Sequence, residues 1–205
     1  MLYALLDLLV PQRCPICSGP LDTDAAGLCD RCAALMLPVR LPTEPPLAAR
    51  EAAAWFQGPL RHAIHGLKFQ NEPWRGRALG FAAATLAPPA AAFDLIVPVP
   101  LSRERLRERG YNQALLIARG VSRALATPMR QTSLARHLHG EAQSSKGRDA
   151  RRDILGAYAA RSVAGRRVLL VDDVTTTGAT ALACAAALLE SGAQSVASWS
   201  VAAAP

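Results

Sequence analysis

The chain has 205 residues, 51% of them hydrophobic and only 5% aromatic, with a formal charge of +7. This leaves room for one ordinary domain plus a small module, with a core of aliphatics and close-packed alanine helices. No apolar run approaches the ~20 residues needed to cross a bilayer, so a membrane span is not expected and the reading is a soluble, cytoplasmic protein.

The opening "MLYALLDLLV" lacks a basic start and a small-residue cleavage site, and Asp7 interrupts it before Pro11. It reads as a short amphipathic helix and not as a targeting segment. Next, four of the five cysteines stand in "CPICSGPLDTDAAGLCDRC" as Cys14-x2-Cys17 and Cys29-x2-Cys32, with eleven residues between the pairs. A CxxC on a tight turn aims two thiolates at one point, and two such turns complete a tetrahedral soft-ligand site. Structural Zn²⁺ is the expected occupant, its four-thiolate shell closed to catalysis; an iron–sulfur cluster and a redox pair are the alternatives. Residues 1–37 are read as this zinc-ribbon-like module. Pro38, Pro42, Pro45 and Pro46 then mark residues 38–50 as a stiff linker.

From residue 51 the pattern turns to alternating strands and helices. "AAAWFQGPLRHAIHGLKF" gives an apolar stretch, a turn at Gly58-Pro59, and a helix striped by Leu60, Ile64, Leu67 and Lys68. His62 and His65 lie three apart on it and are expected at the surface. "WRGRALGFAAATLA" reads as a second helix, ended by Pro88-Pro89. "FDLIVPVP", residues 93–100, is a buried strand, followed by a loop and a helix striped by Leu115, Leu116, Ala118, Val121 and Leu125. Between Pro128 and Tyr158 the periodicity is weak, and a long mobile loop between two strands is expected. "RRVLLV" is a parallel-type strand, residues 178–190 a helix closed by Gly192, and "SVASWSVA" a last strand. Cys184, among apolar neighbours at helical spacing, is expected to be buried and inert. Strand–helix–strand in this order requires a parallel sheet with right-handed crossovers, which makes residues 51–205 one α/β domain.

Charge and chemistry converge on the second half. Between Arg103 and Arg167 lie 15 of the 23 basic residues but five acids, a local excess of ten. Such a field attracts nucleic acid or a heavily phosphorylated small molecule, unless it is merely a solvated arginine-rich surface. In open α/β sheets, ligands bind beyond the carboxyl ends of the strands, where "VLLVDDVTTTGAT", residues 168–180, places Asp172 and Asp173. The following turn enters a helix whose first N–H groups have no internal partner. Those groups, the helix dipole and the hydroxyls of Thr175, Thr176, Thr177 and Thr180 make a cradle for a phosphate; Gly178 allows close backbone approach, and Ala179 is counted with the same loop. The carboxylates beside it suit vicinal hydroxyls, so the expected ligand is a ribose 5-phosphate. A nucleoside triphosphatase is excluded, because the chain contains no Gly-Lys dipeptide.

The same thirteen residues resemble the fingerprint of type I phosphoribosyltransferases, which bind 5-phosphoribosyl-1-diphosphate (PRPP) with Mg²⁺. "VPVPLSRERLRERGYNQA" is similar to the signature of the ComF/GntX group of that superfamily, in which a zinc-binding cysteine module precedes the transferase-like domain; "LRHAIHGLKF" and "RRDILGAY" resemble two further segments. The resemblance implies a parallel-sheet phosphoribosyltransferase fold, with Asp172 and Asp173 on the ribose 2′- and 3′-hydroxyls and the Thr175–Thr180 loop on the 5′-phosphate. It places Leu101, Ser102 and Arg103 where the diphosphate loop lies. Arg105, Arg109, Asn112 and Gln113 would face the same cleft, and Arg136 and Gln143 would flank a mobile hood. Asp153 stands where the group usually has asparagine. Thr176 stands where 6-oxopurine salvage enzymes carry a base, which threonine cannot be at neutral pH, so hypoxanthine and guanine are not expected as acceptors. The ComF likeness further implies a place in natural competence and DNA uptake, with a helicase of that machinery as a partner. Two functions stay open: a phosphoribosyltransferase, or a non-catalytic protein that keeps the PRPP fold and binds single-stranded DNA.

Overall fold

The computed structural model describes residues 13–21, 27–136 and 157–205. The expected helix at the extreme N-terminus lies outside them, as do Gln143, Asp153 and residues 137–156 of the loop expected between Pro128 and Tyr158. Within the described start of that stretch, Leu134–Arg136 form a strand paired with Tyr158–Ala160, a correction to the loop reading.

The elements in chain order are α1 (Asp30–Ala33), β1 (Val39–Arg40), β2 (Ala49–Trp55), α2 (Gly58–Phe69), α3 (Trp74–Ala83), β3 (Leu95–Pro98), α4 (Arg103–Arg109), α5 (Gln113–Leu125), β4 (Leu134–Arg136), β5 (Tyr158–Ala160), β6 (Arg167–Thr175), α6 (Ala179–Glu190) and β7 (Ser195–Ala203). Five strands form one sheet in the order β1-β2-β7-β6-β3. The last four are mutually parallel, and β1 lies antiparallel on the edge. β4 and β5 make a separate antiparallel pair. Among the described residues no helix is long and apolar enough to cross a membrane.

β6 explains the architecture. Its stretch Val168–Val171 is wholly buried because helices cover both faces of the sheet, as a central parallel strand demands. Leu169 and Val171 join a core with Ile64 and Leu67 of α2, Leu79 of α3 and Ile117 of α5. Val168 and Leu170 join the opposite core with Ala183, Cys184 and Leu188 of α6 and with Tyr158 of β5. Cys184 is fully buried there, as its neighbours predicted. α3 and α5 meet at backbone distance: a Cβ on Gly80 would stand 2.0 Å from the Ile117 carbonyl oxygen, and one on Gly120 2.2 Å from that of Arg77. Glycine, smaller even than the expected alanine, sets this crossing.

Two further expectations need correction. The segment 38–50, read as a linker, supplies β1 and the first two residues of β2, so the sheet begins inside it. Its prolines stand outside the paired residues, and strand propensity was hidden by their number. The single helix expected after β3 is two helices, α4 and α5, because Gly110 at φ +80° turns the chain between them. Asn112 then opens α5 by accepting from the N–H groups of Ala114 (2.9 Å) and Leu115 (3.4 Å).

The cysteine module is docked onto the α/β domain. Cys14, Ile16, Leu28, Cys32 and Met36 belong to the same core as α2 and α3. Arg75 of α3, 8% exposed, donates to the Pro15 carbonyl (2.7 Å), the Ser18 hydroxyl (2.8 Å) and the Glu72 carboxylate (2.7 Å). A buried guanidinium is tolerated only with such partners, so the two parts share one interface.

Candidate ribose-phosphate site

At the carboxyl end of β6 the chain leaves the sheet through Thr176 and Thr177, turns at Gly178 (φ +85°), and enters α6. The left-handed turn is where glycine costs nothing and other residues are strained. Beyond it a cleft of about 390 Å³ is lined by Asp172, Val174 and residues 175–180, with Val99 after β3 and Ser198 and Ser200 of β7 on its walls. Thr176, Thr177 and Thr180 are exposed and Thr175 is buried. The Thr177 hydroxyl accepts from the Ala179 N–H at 3.4 Å. The remaining first-turn N–H groups of α6 have no intrahelical acceptor, the kind of donor set an anion can use.

The aspartate pair, expected on one diol, is divided. β6 continues as a strand to Thr175, so adjacent residues point to opposite faces. Asp172 faces the cleft. Asp173 faces α2 and α5, its side chain only 4% exposed, with Oδ2 2.7 Å from the Lys68 ammonium. Gln113, also buried, donates to Asp173 Oδ1 at 3.4 Å and accepts from Arg109. Asp172 Oδ1 accepts from the Asp173 N–H at 2.8 Å. Burial, then the Asp173 charge, pushes the Asp172 carboxyl well above the usual carboxylate range, although Lys68 pulls the other way.

The other expected residues are placed as follows. Leu101 and Ser102 are half-buried and Arg103 exposed. The Ser102 hydroxyl caps α4, accepting from the Arg105 N–H at 3.2 Å. None of the three lines the cleft; their neighbour Val99 does. Arg105 is exposed on α4. Asn112, expected in the cleft, is spent on capping α5 and on donating to the Val99 carbonyl at 2.9 Å. Arg109 lies over the Phe69 ring at 5.4 Å. Arg136, on β4, lies over the Tyr158 ring at 5.8 Å. His62 and His65 are exposed on α2, and His65 rests against Phe69.

Sequence reading passed over Lys68 and Arg50. Lys68 carried a signal: one of only two lysines in an arginine-rich chain, it sits on the apolar stripe of α2. Arg50, inside the segment taken for a linker, donates to the Thr177 carbonyl at 2.7 Å and carried none.

In the module, the four sulfurs of Cys14, Cys17, Cys29 and Cys32 all lie within 4.8 Å of one another, with Cys17 and Cys29 at 3.7 Å. Tetrahedral Zn–S bonds of about 2.3 Å put sulfurs about 3.8 Å apart, so the donor set fits that ion. Burial opposes ionisation of Cys14, but backbone N–H groups of Cys17, Cys29 and Ile16 bring its thiol down to about 7, while burial and the neighbouring thiols push Cys32 up. A cation that holds all four as thiolates removes this conflict.

Comparison with known proteins agrees with this arrangement. Residues 112–205 match the family model "Phosphoribosyl transferase domain". The chain is 34% identical over 155 residues to "Competence protein F" of Haemophilus influenzae, covering 70% of this chain and 68% of that protein. It is 30% identical over 200 residues to "DNA utilization protein YhgH" of Escherichia coli O157:H7, covering 91% and 88%. It is 38% identical to "Competence protein ComFC" of Bacillus subtilis, over 52% of this chain and 43% of that one. A solved structure of glutamine PRPP amidotransferase from B. subtilis superimposes with TM-score 0.43 at 22% identity, over 60% of this chain and 25% of that one, too distant to bear on function. With a four-cysteine module on a parallel-sheet phosphoribosyltransferase fold and relatives that span most of its length, the chain belongs to the ComF family of phosphoribosyltransferase-like proteins.

Proposed function

We propose that the cleft beyond β6 binds a 5-phosphorylated ribose carrying a 1-diphosphate, in the competence or DNA-utilization setting that the relatives' names describe. One observation carries the reading: a half-buried carboxylate, Asp172, shares a cleft with a hydroxyl-rich glycine turn at a helix start. The 175–180 loop holds the 5-phosphate. Asp172 accepts from a ribose hydroxyl, and Asp173, turned away and paired to Lys68, anchors the strand end that carries it. Asp172 is the one carboxylate among the described lining residues, which suits Mg²⁺, an ion that takes one or two carboxylates plus substrate phosphates and neutralises a departing diphosphate. In transfer, the C1–oxygen bond breaks with its electron pair leaving on the diphosphate, and an acceptor nucleophile bonds to C1; the protein contributes placement and charge stabilisation.

Asp172→Asn tests this in two ways. Calorimetric titration of PRPP·Mg²⁺ is expected to show affinity about tenfold to a hundredfold below wild type, the loss of charge-assisted hydrogen bonds. Thermal melts are expected to show the variant more stable at neutral pH. The folded carboxyl binds its proton more tightly than the unfolded one, so wild-type stability declines as pH rises from about 4 until that carboxyl has ionised. The variant lacks this slope. Equal affinity and equal slope in both proteins would end the proposal.

A second reading, single-stranded DNA binding, is favoured by one observation. Of Phe, Trp and Tyr, residues 103–167 carry only Tyr111 and Tyr158, but Phe69 and Trp74 are 67% and 43% exposed, and Phe69 lies against Arg109. Aromatic platforms among arginines suit unpaired bases. Phe69→Ala is expected to weaken oligonucleotide binding about fivefold or more, and Arg109→Ala to flatten its salt dependence, both read by fluorescence anisotropy. PRPP affinity unchanged in Phe69→Ala separates this surface from the sugar site.

A further inference from the structure

We infer that Arg50 is the positioning residue of the phosphate loop, turning the Gly178 N–H into the ribose-phosphate cleft; the inference rests on the phosphoribosyl reading above and names a residue of that same site. Arg50 reaches across 127 residues of sequence to donate to the Thr177 carbonyl at 2.7 Å. It does so from a second cleft of about 340 Å³, which it lines with Thr177, Leu47 and Glu44. Thr177 also lines the first cleft, together with Gly178, and Arg50 does not. The 177–178 turn is therefore the wall between two clefts.

Peptide geometry converts this contact into a function. In a planar trans peptide the carbonyl of one residue and the N–H of the next point in opposite directions. Drawing the Thr177 oxygen toward Arg50, on the second cleft's side, directs the Gly178 N–H to the first, where a phosphate oxygen accepts it. The same pull keeps the negative end of that peptide away from the phosphate. The guanidinium also sets a positive charge behind the loop.

Two further facts point the same way. A Cβ on residue 178 would stand 1.8 Å from Arg50 Nη1, so glycine is needed for the arginine to lie there as well as for φ +85°. The Arg50 Nε–H is buried without a hydrogen-bond partner among the described residues, so the guanidinium keeps this place at the expense of an unmet donor.

The test uses the full-length protein as wild type, R50M and R50K, with ribose 5-phosphate and PRPP·Mg²⁺ as probes. Calorimetry gives affinity, and ¹H–¹⁵N spectra follow the Gly178 amide. In wild type the phosphate is expected to move the Gly178 amide proton downfield. In R50M that shift is expected to vanish and both sugars to bind about tenfold more weakly, while R50K, still able to reach the carbonyl, recovers to within about threefold. Amide positions of β7 report whether the variants are folded; if R50M is not, R50Q replaces it with the same expectations. Undiminished affinity and an intact Gly178 shift in R50M, beside a wild type that binds, would overturn the role of Arg50 alone. A wild type that binds neither sugar phosphate would overturn the phosphoribosyl reading beneath it.

Discussion

Removing the metal from the cysteine module is expected to destabilise the whole α/β domain, and Cys14→Ser to do the same. Cys14 and Cys32 are buried in one core with Ile64 and Leu67 of α2 and Leu79 of α3. Structural zinc contributes on the order of 10 kcal/mol of binding free energy to the peptide that folds around it, so a module this small loses its fold with its metal. Arg75 transmits the loss: its contacts with the Pro15 carbonyl and Ser18 hydroxyl vanish while its guanidinium stays against α2 and α3. Each buried donor left unmet costs about 1–3 kcal/mol, and water entering over Leu79 adds to that. Differential scanning calorimetry with and without a strong chelator should therefore show one transition moving down by about 6–12 degrees, the shift that about 3 kcal/mol gives in a domain of this size. A domain transition that stays in place while a separate small one disappears would show the module to be an independent appendage. Elemental analysis of the purified protein reads the identity of the metal, with one zinc per chain the expected result and iron the outcome that replaces it.

Lys68→Met is expected to lower stability by about 3–5 kcal/mol, the usual cost of removing one partner from a buried ion pair. The Asp173 carboxylate is 4% exposed and the Lys68 side chain 22%, with 2.7 Å between the charges. Methionine fills the aliphatic volume of lysine, so the loss is electrostatic and not a cavity. Gln113 offers Asp173 one long hydrogen bond at 3.4 Å, too weak to replace an ammonium. The double variant Lys68→Met/Asp173→Asn removes both charges and is expected to regain most of the loss. Urea unfolding of the four proteins in the cycle gives the coupling directly. Additive single effects would mean that the pair is screened by solvent and that Asp173 needs no partner. Since Asp173 shares its backbone with Asp172, the Lys68 variant is also expected to bind PRPP more weakly, with the affinity restored in the double variant to the extent that the strand end regains its place.

The pieces that sequence made legible share one property: their residues are neighbours along the chain. Cys14, Cys17, Cys29 and Cys32 point to a candidate metal site by spacing alone, and the described sulfurs do meet. The run from Val168 to Thr180 contains strand, glycine turn and helix start in order, so the free N–H groups at its end follow from backbone geometry. Parallel pairing of β3, β6 and β7 likewise follows from the strand–helix–strand order and the hand of crossovers.

What tertiary structure decided is everything that depends on which distant residues a face meets. Asp172 and Asp173 look like one bidentate device in sequence, yet β6 runs past both, and the alternation of a strand sends one carboxylate to the cleft and the other to Lys68, 105 positions away. Arg50 stands in a proline-rich stretch that resembles a tether, and only the pairing of β2 with β7 carries it to Thr177. Phe69 and Arg109 stack although neither segment announces the other. Local propensity fixes the φ and ψ of a few residues at a time. The partners of a buried charge are chosen by sheet order and helix packing, and those emerge only when the whole core closes.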